Sequence, residues 1–230
     1  MKKLKIRYQS RYKPRHKISN QAGYDVLGKL KQKKLYRKKW FRINDKTTPF
    51  LKYSHRSSLE RLYGERLRAK QVLRQTYGKL TERQFKTIFH KSEFGYSKSK
   101  RSLKGLLDRR LDAFIFRLGY ATSIFKARQD IIHGAFKVNG YVVKSPSISL
   151  TPGDCVSPNG NVWYSFYKTF FTRIKGKDNK KFGPWRGSRK MSNIEFDYRT
   201  LTAAIVDEFN LNDFSYEGKI NLKSVREFYN

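Results

Sequence analysis

From about residue 58 onward the apolar residues recur in threes and fours; before it they are sparse and keep no period. The stretch SSLERLYGERLRAKQVLRQTYGKLTERQFKTIFHK predicts two helices parted at Gly78, with Leu67, Val72, Leu73 and Thr76 on one side of the first. Thr81 followed by Gln84 is a capping box: the hydroxyl and the amide can each satisfy a backbone N–H that a helix start leaves unpaired. Phe85, Ile88 and Phe89 then fall at i, i+3, i+4. EFGYSKSKRS has no such spacing and predicts a loop. The clearest stripe is Leu103, Leu106, Leu107, Leu111, Phe114, Ile115 and Leu118, which predicts one amphipathic helix ended by Gly119.

A further helix is capped by Thr122 or Ser123, turns Ile124, Ala127 and Ile131 inward, and runs through His133 to Gly134. AFKVNGYVV then sets Asn139-Gly140 between two strand-like runs, the signature of a type I′ hairpin. SISL, a Pro-Gly turn and CVS supply more short strands. Residues 157–193 are aromatic and basic with no clean period, and are expected to be an insertion or linker that a partner orders. Over 194–230, NIEFDY and LTAAIV read as strands and Leu222, Val225 and Phe228 as a short helix. The expected fold class is α+β. A basic extended N-terminal arm (1–57) leads into a helical region (58–108) and a compact helix–helix–β-hairpin module (109–156). The insertion (157–193) and a strand–helix tail (194–230) follow, the tail packing back on the helical region.

Charge narrows the function classes. Of 230 residues 52 are Lys or Arg and 18 are Asp or Glu, a formal net charge of +34. By segment the net is +17 over 1–57, +20 over 58–193 and −3 over 194–230. A free monomer so charged repels itself, so a polyanion is its expected surrounding: RNA, DNA or an anionic membrane. No apolar run approaches the ~20 residues of a spanning helix. The hydrophobic share of 38% falls short of the ~45–50% of ordinary domains and suffices for one or two small cores. In the arm, Tyr36, Trp40 and Phe41 are interleaved with cations. The arm cannot bury enough apolar surface to fold alone and is expected to order on RNA. Its Arg-rich start could be read as a presequence, but with Met1 present a retained arm is expected.

Candidate chemistry sits on the capped helix. Thr122, Lys126, Gln129 and His133 are spaced i, i+4, i+7, i+11, opposite the inward residues, with Lys137 just beyond. Cations, a hydroxyl, an amide and an imidazole in one row suit phosphate and 2′-OH contacts along an RNA groove. The alternative is a solvated helix face; the net charge and the aromatic–basic arm favour RNA. Each lysine is expected to neutralise one phosphate.

YGERLRAKQVLRQTYGKLTERQF followed by LLDRRLDAFIFRLGYATSIFKARQDIIHGAFKVNGYVVKSPS resembles the small-subunit ribosomal protein S4 family, and INLKSVREFYN is similar to that family's ending. The resemblance covers 58–156 well, the tail less and the arm weakly through RYKPRHKIS. It implies an RNA-binding module at 109–156, with Arg110, Thr122, Ser123, Lys126, Arg128, Gln129, His133, Lys137 and Asn139 at its RNA-contacting positions. Arg128 borders the apolar face, and an ion pair with Asp112 is its alternative. The family implies a structural, non-enzymatic role. It implies binding to the 5′ domain of small-subunit rRNA early in assembly, a place near the side where mRNA enters, and contact with neighbouring small-subunit ribosomal proteins and with mRNA. No cofactor and no membrane are expected. The many Phe, Tyr, Lys and Asn residues and the aromatic insertion point to a mitochondrial ribosome, with plastid or bacterial cytoplasm as alternatives. Met1 is expected to reflect synthesis inside the organelle.

Two other classes remain to be set aside. A pseudouridine-synthase-type enzyme would need a catalytic loop at Asp112, but an apolar helical run, AFIF, follows it, and no domain of catalytic size is left over. A free RNA chaperone carrying the same module would lack the helices of 58–101. The four histidines show no metal-ligand spacing beyond the isolated His90 and Glu93, and no phosphate-binding glycine loop occurs. The lone Cys155 rules out a disulfide and a cysteine zinc site and suggests a reducing compartment; in its strand-like run it is expected to be a buried thiol.

Overall fold

The computed structural model describes residues 58–94, 102–121, 123–174, 193–207 and 222–229. The arm, the loop at 95–101, Thr122, the stretch 175–192 and residues 208–221 lie outside the described residues, and with them the expectations placed there. Helices and an antiparallel sheet occur together, the mixed α+β class expected.

The chain divides into two compact units, with the boundary at residues 79 and 80. It falls inside the stretch expected to be one helical region. In the first unit, α1 (Ser58–Thr76) ends where Gly78 and Lys79 both take positive φ, so the backbone cannot continue helically.

Four further helices lie before the sheet in the second unit. They are α2 (Glu82–Phe94), α3 (Leu103–Asp108), α4 (Leu111–Arg117) and α5 (Ile124–Ile132). The capping box forms as read: Gln84 N–H donates to the Thr81 hydroxyl at 3.4 Å and Thr81 N–H to the Gln84 amide oxygen at 3.3 Å. Ser102 caps α3 and Ser123 caps α5.

The stripe from Leu103 to Leu118 is two helices, not one. The chain bends to extended geometry at Arg110, where an isolated bridge pairs it with Ser149. Leu111 and Asp112 N–H donate to the Ile148 and Pro146 carbonyls, and Leu150 N–H donates to the Arg109 carbonyl. Backbone groups that one helix would have used internally are thus taken by a segment about forty residues away, which apolar spacing cannot register. SISL accordingly forms this bridge and no strand.

The sheet has five antiparallel strands in the order β2-β1-β3-β5-β4. They are β1 (Phe136–Val138), β2 (Tyr141–Val142), β3 (Cys155–Pro158), β4 (Ile194–Asp197) and β5 (Thr202–Ile205). Asn139 and Gly140 have φ of 51° and 84°, as a type I′ turn requires. Pleating turns Phe136, Val156, Ala203 and Phe196 to one face and Lys137, Ser157, Cys155 and Glu195 to the other. Cys155 is therefore exposed, and the expectation of a buried thiol is corrected.

Between β3 and β4 runs α6 (Gly160–Ile174), where an insertion without period was expected. Its stripe is present in the sequence: Val162, Trp163, Phe166, Tyr167 and Phe171 are three and four apart and pack on the core. The exposed Tyr164 between them hides the period.

The strands β4 and β5 of the tail join the sheet through β3. The tail's helix α7 (Leu222–Tyr229) belongs to the first unit and lies along α1. Arg66 Nε meets Glu227 at 3.1 Å, and the Lys70 ammonium sits 3.7 Å from the centroid of Phe228.

The core of the second unit gathers α4, α5, α6 and the inner face of the sheet. Ile131, fully buried on α5, is part of it. Ile131→Ala should lower stability by about 2–5 kcal/mol through lost transfer energy and a residual cavity. Urea denaturation followed by circular dichroism measures it, and a loss under about 1 kcal/mol would contradict the packing described.

Candidate nucleic-acid interface

Ser123 opens α5 with extended φ and ψ, and its hydroxyl accepts from the Lys126 N–H at 3.2 Å. It is buried, so its role is that of a cap. Lys126 and Gln129 are exposed one turn apart, and His133 is exposed as the C-cap. The chain then turns at Gly134 with φ of 73° and enters β1, whose Lys137 faces away from the core. The structure thus brings Lys126, Gln129, His133 and Lys137 to the surface along α5 and the hairpin. Thr122 lies outside the described residues.

The cations here are not equivalent. Lys126 Nζ is 2.5 Å from Asp130 Oδ1, so its charge is partly compensated. Its side chain is still 52% exposed. Among the described residues, no carboxylate pairs with Lys137. A third cation, Lys144, is exposed; its Cε would lie 3.9 Å from a Cβ placed on Gly134. Beside it Tyr141 is 80% exposed, and Ile132 and Val142 are also open. The polar spacing along the helix does not reach Lys144 and Tyr141, which lie beyond its end. The sign that could have found them is the hairpin itself, which carries the chain past the helix end.

Arg110 and Arg128 are not on this surface. Both point at Asp112, which is 0% exposed. Arg110 donates through Nε at 3.1 Å and Nη2 at 2.9 Å, and Arg128 donates through Nε at 2.6 Å. Asp112 also accepts the Ala113 N–H at 2.9 Å, at the start of α4. A buried carboxylate needs compensating charge, and these guanidiniums supply it. The structure thus places both as partners of Asp112, the alternative named for Arg128, instead of on the exposed surface. Arg117 pairs with Asp108, both buried.

Asn139 is exposed, but its amide serves the fold. Nδ2 donates to Asp154 at 2.9 Å, and Oδ1 accepts the Cys155 N–H at 2.8 Å. Burial pushes the Asp154 carboxyl up, but the Thr151 N–H, the Asn139 amide and the Thr151 hydroxyl outweigh it and hold it below its ordinary value. Asn139 therefore clamps the hairpin to the turn before β3.

Among the described residues, no group of three His, Cys, Asp or Glu is placed to hold a metal ion, and no helix is long and apolar enough to cross a membrane.

The S4 domain family matches residues 109–156, from the bend at Arg110 to the middle of β3. A protein of Cereibacter sphaeroides called small ribosomal subunit protein uS4 is 34% identical over 167 residues, covering 73% of this chain and 76% of its own length. The chain belongs to the uS4 family. Proteins of the same name from Paracoccus denitrificans and Ruegeria sp. are 34% and 33% identical, each over the same shares of both chains. Within this uS4-family chain, the S4 domain holds the α5 surface, the Asp112 cluster and the hairpin together.

Proposed function

We propose that this chain is a structural rRNA-binding protein of the small ribosomal subunit. Membership of the uS4 family carries the reading. Gln129, His133 and Lys144, which are exposed, and the half-buried Lys137 support it, because they offer cations and neutral hydrogen-bonding groups on α5 and the hairpin. In the finer reading, the chain organises the 5′ domain of the rRNA during assembly. It lies near the side where mRNA enters and touches neighbouring small-subunit proteins. It needs no cofactor and performs no catalysis. Its home is a mitochondrial ribosome, a reading supported by the Phe, Tyr, Lys and Asn load. The units of this reading are an RNA-ordered arm over 1–57 and the S4-type module over 109–156.

Co-sedimentation tests it. A tagged chain should stay with the small subunit through a high-salt gradient, and release into the free fraction would refute a ribosomal role. Organelle fractionation of the same cells tests the mitochondrial assignment.

These residues, with Lys126, also predict a graded mutational response. Binding that neutralises phosphates releases counterions, so the slope of log K against log salt counts phosphate contacts. Lys137→Ala should weaken binding to an rRNA fragment and flatten that slope by about one. Lys126→Ala should flatten it less, since Asp130 already compensates part of its charge. Gln129→Ala should weaken binding and leave the slope unchanged. Wild-type affinity and slope in the Lys137 variant would make this row a solvated face.

A further inference from the structure

We propose that Lys137 and Lys144 hold two successive phosphates of one RNA strand, with Val142 between them under the intervening ribose. The two lysines lie on opposite sides of the hairpin and share one of its faces. Lys137 and Val142 are cross-strand partners in the β1–β2 ladder, so their side chains rise side by side. The pairing reaches one residue further, where the Val143 N–H donates to the Phe136 carbonyl at 3.2 Å. Phe136 is fully buried and Val143 packs on the core, which turns Lys144 back to the side of Val142. The turn at Gly134 brings the same two residues together: a Cβ there would lie 3.2 Å from Val142 Cγ1 and 3.9 Å from Lys144 Cε. Lys137 and Lys144 are thus diagonal neighbours across the hairpin, about 7–8 Å apart at the backbone. One nucleotide step of an RNA strand can bridge that span.

Both lysines are available to a partner. Lys144 is exposed and Lys137 half-buried, and among the described residues neither has an ion pair. The carboxylates nearby are engaged. Asp130 holds Lys126, and Asp154 is bound by Asn139 and Thr151. Beyond Lys137, strand alternation gives this face Ser157 and Cys155 on β3 and Ala204 on β5, and the first carboxylate is Glu195 on β4. Glu195 is three strands from Lys137, roughly 14 Å at about 4.8 Å per strand, outside the ~8–10 Å within which salt lets exposed charges act.

The residue between the cations decides the occupant. Val142 is 48% exposed. Its methyl groups give a free anion nothing to bind, but they suit the carbon face of a sugar whose two phosphates reach the lysines on either side. The exposed His133, next in the chain to Gly134, adds an imidazole that suits a 2′-OH. An acidic peptide would set carboxylates over the lysines and leave Val142 without a matching group.

This inference rests on the RNA-binding reading, and the experiment separates the two. A transcript of the 5′ domain of small-subunit rRNA is sparsely ethylated at its phosphates and bound by the full chain, and the ethylations that block binding are mapped. Lys137→Ala should become indifferent to one phosphate that matters to the wild type, and Lys144→Ala to the next phosphate on the same strand. In a salt series each variant should flatten the slope of log K against log salt by about one, and the double variant by about two. Val142→Glu should weaken binding about tenfold or more and flatten the slope by nearly two, because its carboxylate would stand between both lysines. Circular dichroism checks that each variant is folded. Indifference to the same phosphate in both lysine variants, or to two phosphates that are not adjacent, overturns this seat and leaves the functional reading standing. Wild-type affinity in both lysine variants, with the transcript still bound, does the same. Failure of the wild-type chain to bind the transcript overturns both.

Discussion

Asp112→Ala should cost about 3–5 kcal/mol of folding stability, because it strips a buried carboxylate from the guanidiniums that converge on it. Arg110 is buried and Arg128 nearly so, and neither can regain full hydration without moving the bend between α3 and α4. The same change removes the carboxylate that accepts the Ala113 N–H at the start of α4, where Arg110 as N-cap makes no side-chain cap of its own. The effect should appear as a lowered urea midpoint by circular dichroism. Hydrogen exchange should show lost protection of the Leu111, Asp112 and Leu150 amides, which join this bend to 146–150. Asp112→Asn keeps the shape and tests the charge by itself, so it should fall between wild type and alanine. A midpoint within error of wild type in the alanine variant would mean that the arginines escape to solvent and that the cluster holds nothing. It would also return both of them to the RNA-facing set.

Phe136→Ala should be comparably damaging, at about 3–5 kcal/mol. The ring is fully buried, with its centroid 4.9 Å from Phe166 on α6 and 5.5 Å from Tyr120, which meets it edge-on. Its removal opens a void bounded by the sheet and two helices, and aromatic contacts of this geometry add to the area term. Phe136→Leu should cost distinctly less, since most of the volume is kept. Because Lys137 follows Phe136 directly on β1, the alanine variant should also bind structured rRNA more weakly at temperatures where the wild type is still folded. The measurement is a thermal melt alongside rRNA titration. Loss of stability under about 1 kcal/mol would show that α6 does not seal this core.

Much of the local design could be read without the fold. The Thr81–Gln84 box, the Ser123 cap, the stops at Gly119 and Gly134 and the Asn139-Gly140 turn all close hydrogen bonds or set dihedrals within a few residues. Such interactions need no distant partner, so residue type and spacing suffice to announce them. The inward row Ile124, Ala127 and Ile131 was legible for the same reason, because helical period alone places it.

Whatever depended on a distant partner was settled by tertiary structure. The long leucine stripe broke at Arg110 because residues 146–150 took its backbone groups. Arg110 and Arg128 had the composition of RNA-binding residues, but the buried carboxylate of Asp112 claimed both, and burial is decided only when α4 and α5 pack. Lys126 and Lys137 look alike in the chain, and the carboxylate of Asp130 distinguishes them. The aromatic stretch after residue 160 became a helix because one face of it could close over Phe136 and Tyr120. In the tail, β5 slipped between β3 and β4, which turned the Ala203 face inward and set Cys155 against Ala204 on the open face. The sequence by itself determined the locally closed features, the caps, the glycine stops and the hairpin turn, and the charge that calls for a polyanion. Which cations stay free for that polyanion was decided by the fold, because a charge is available to a partner only where packing has left it neither buried nor paired.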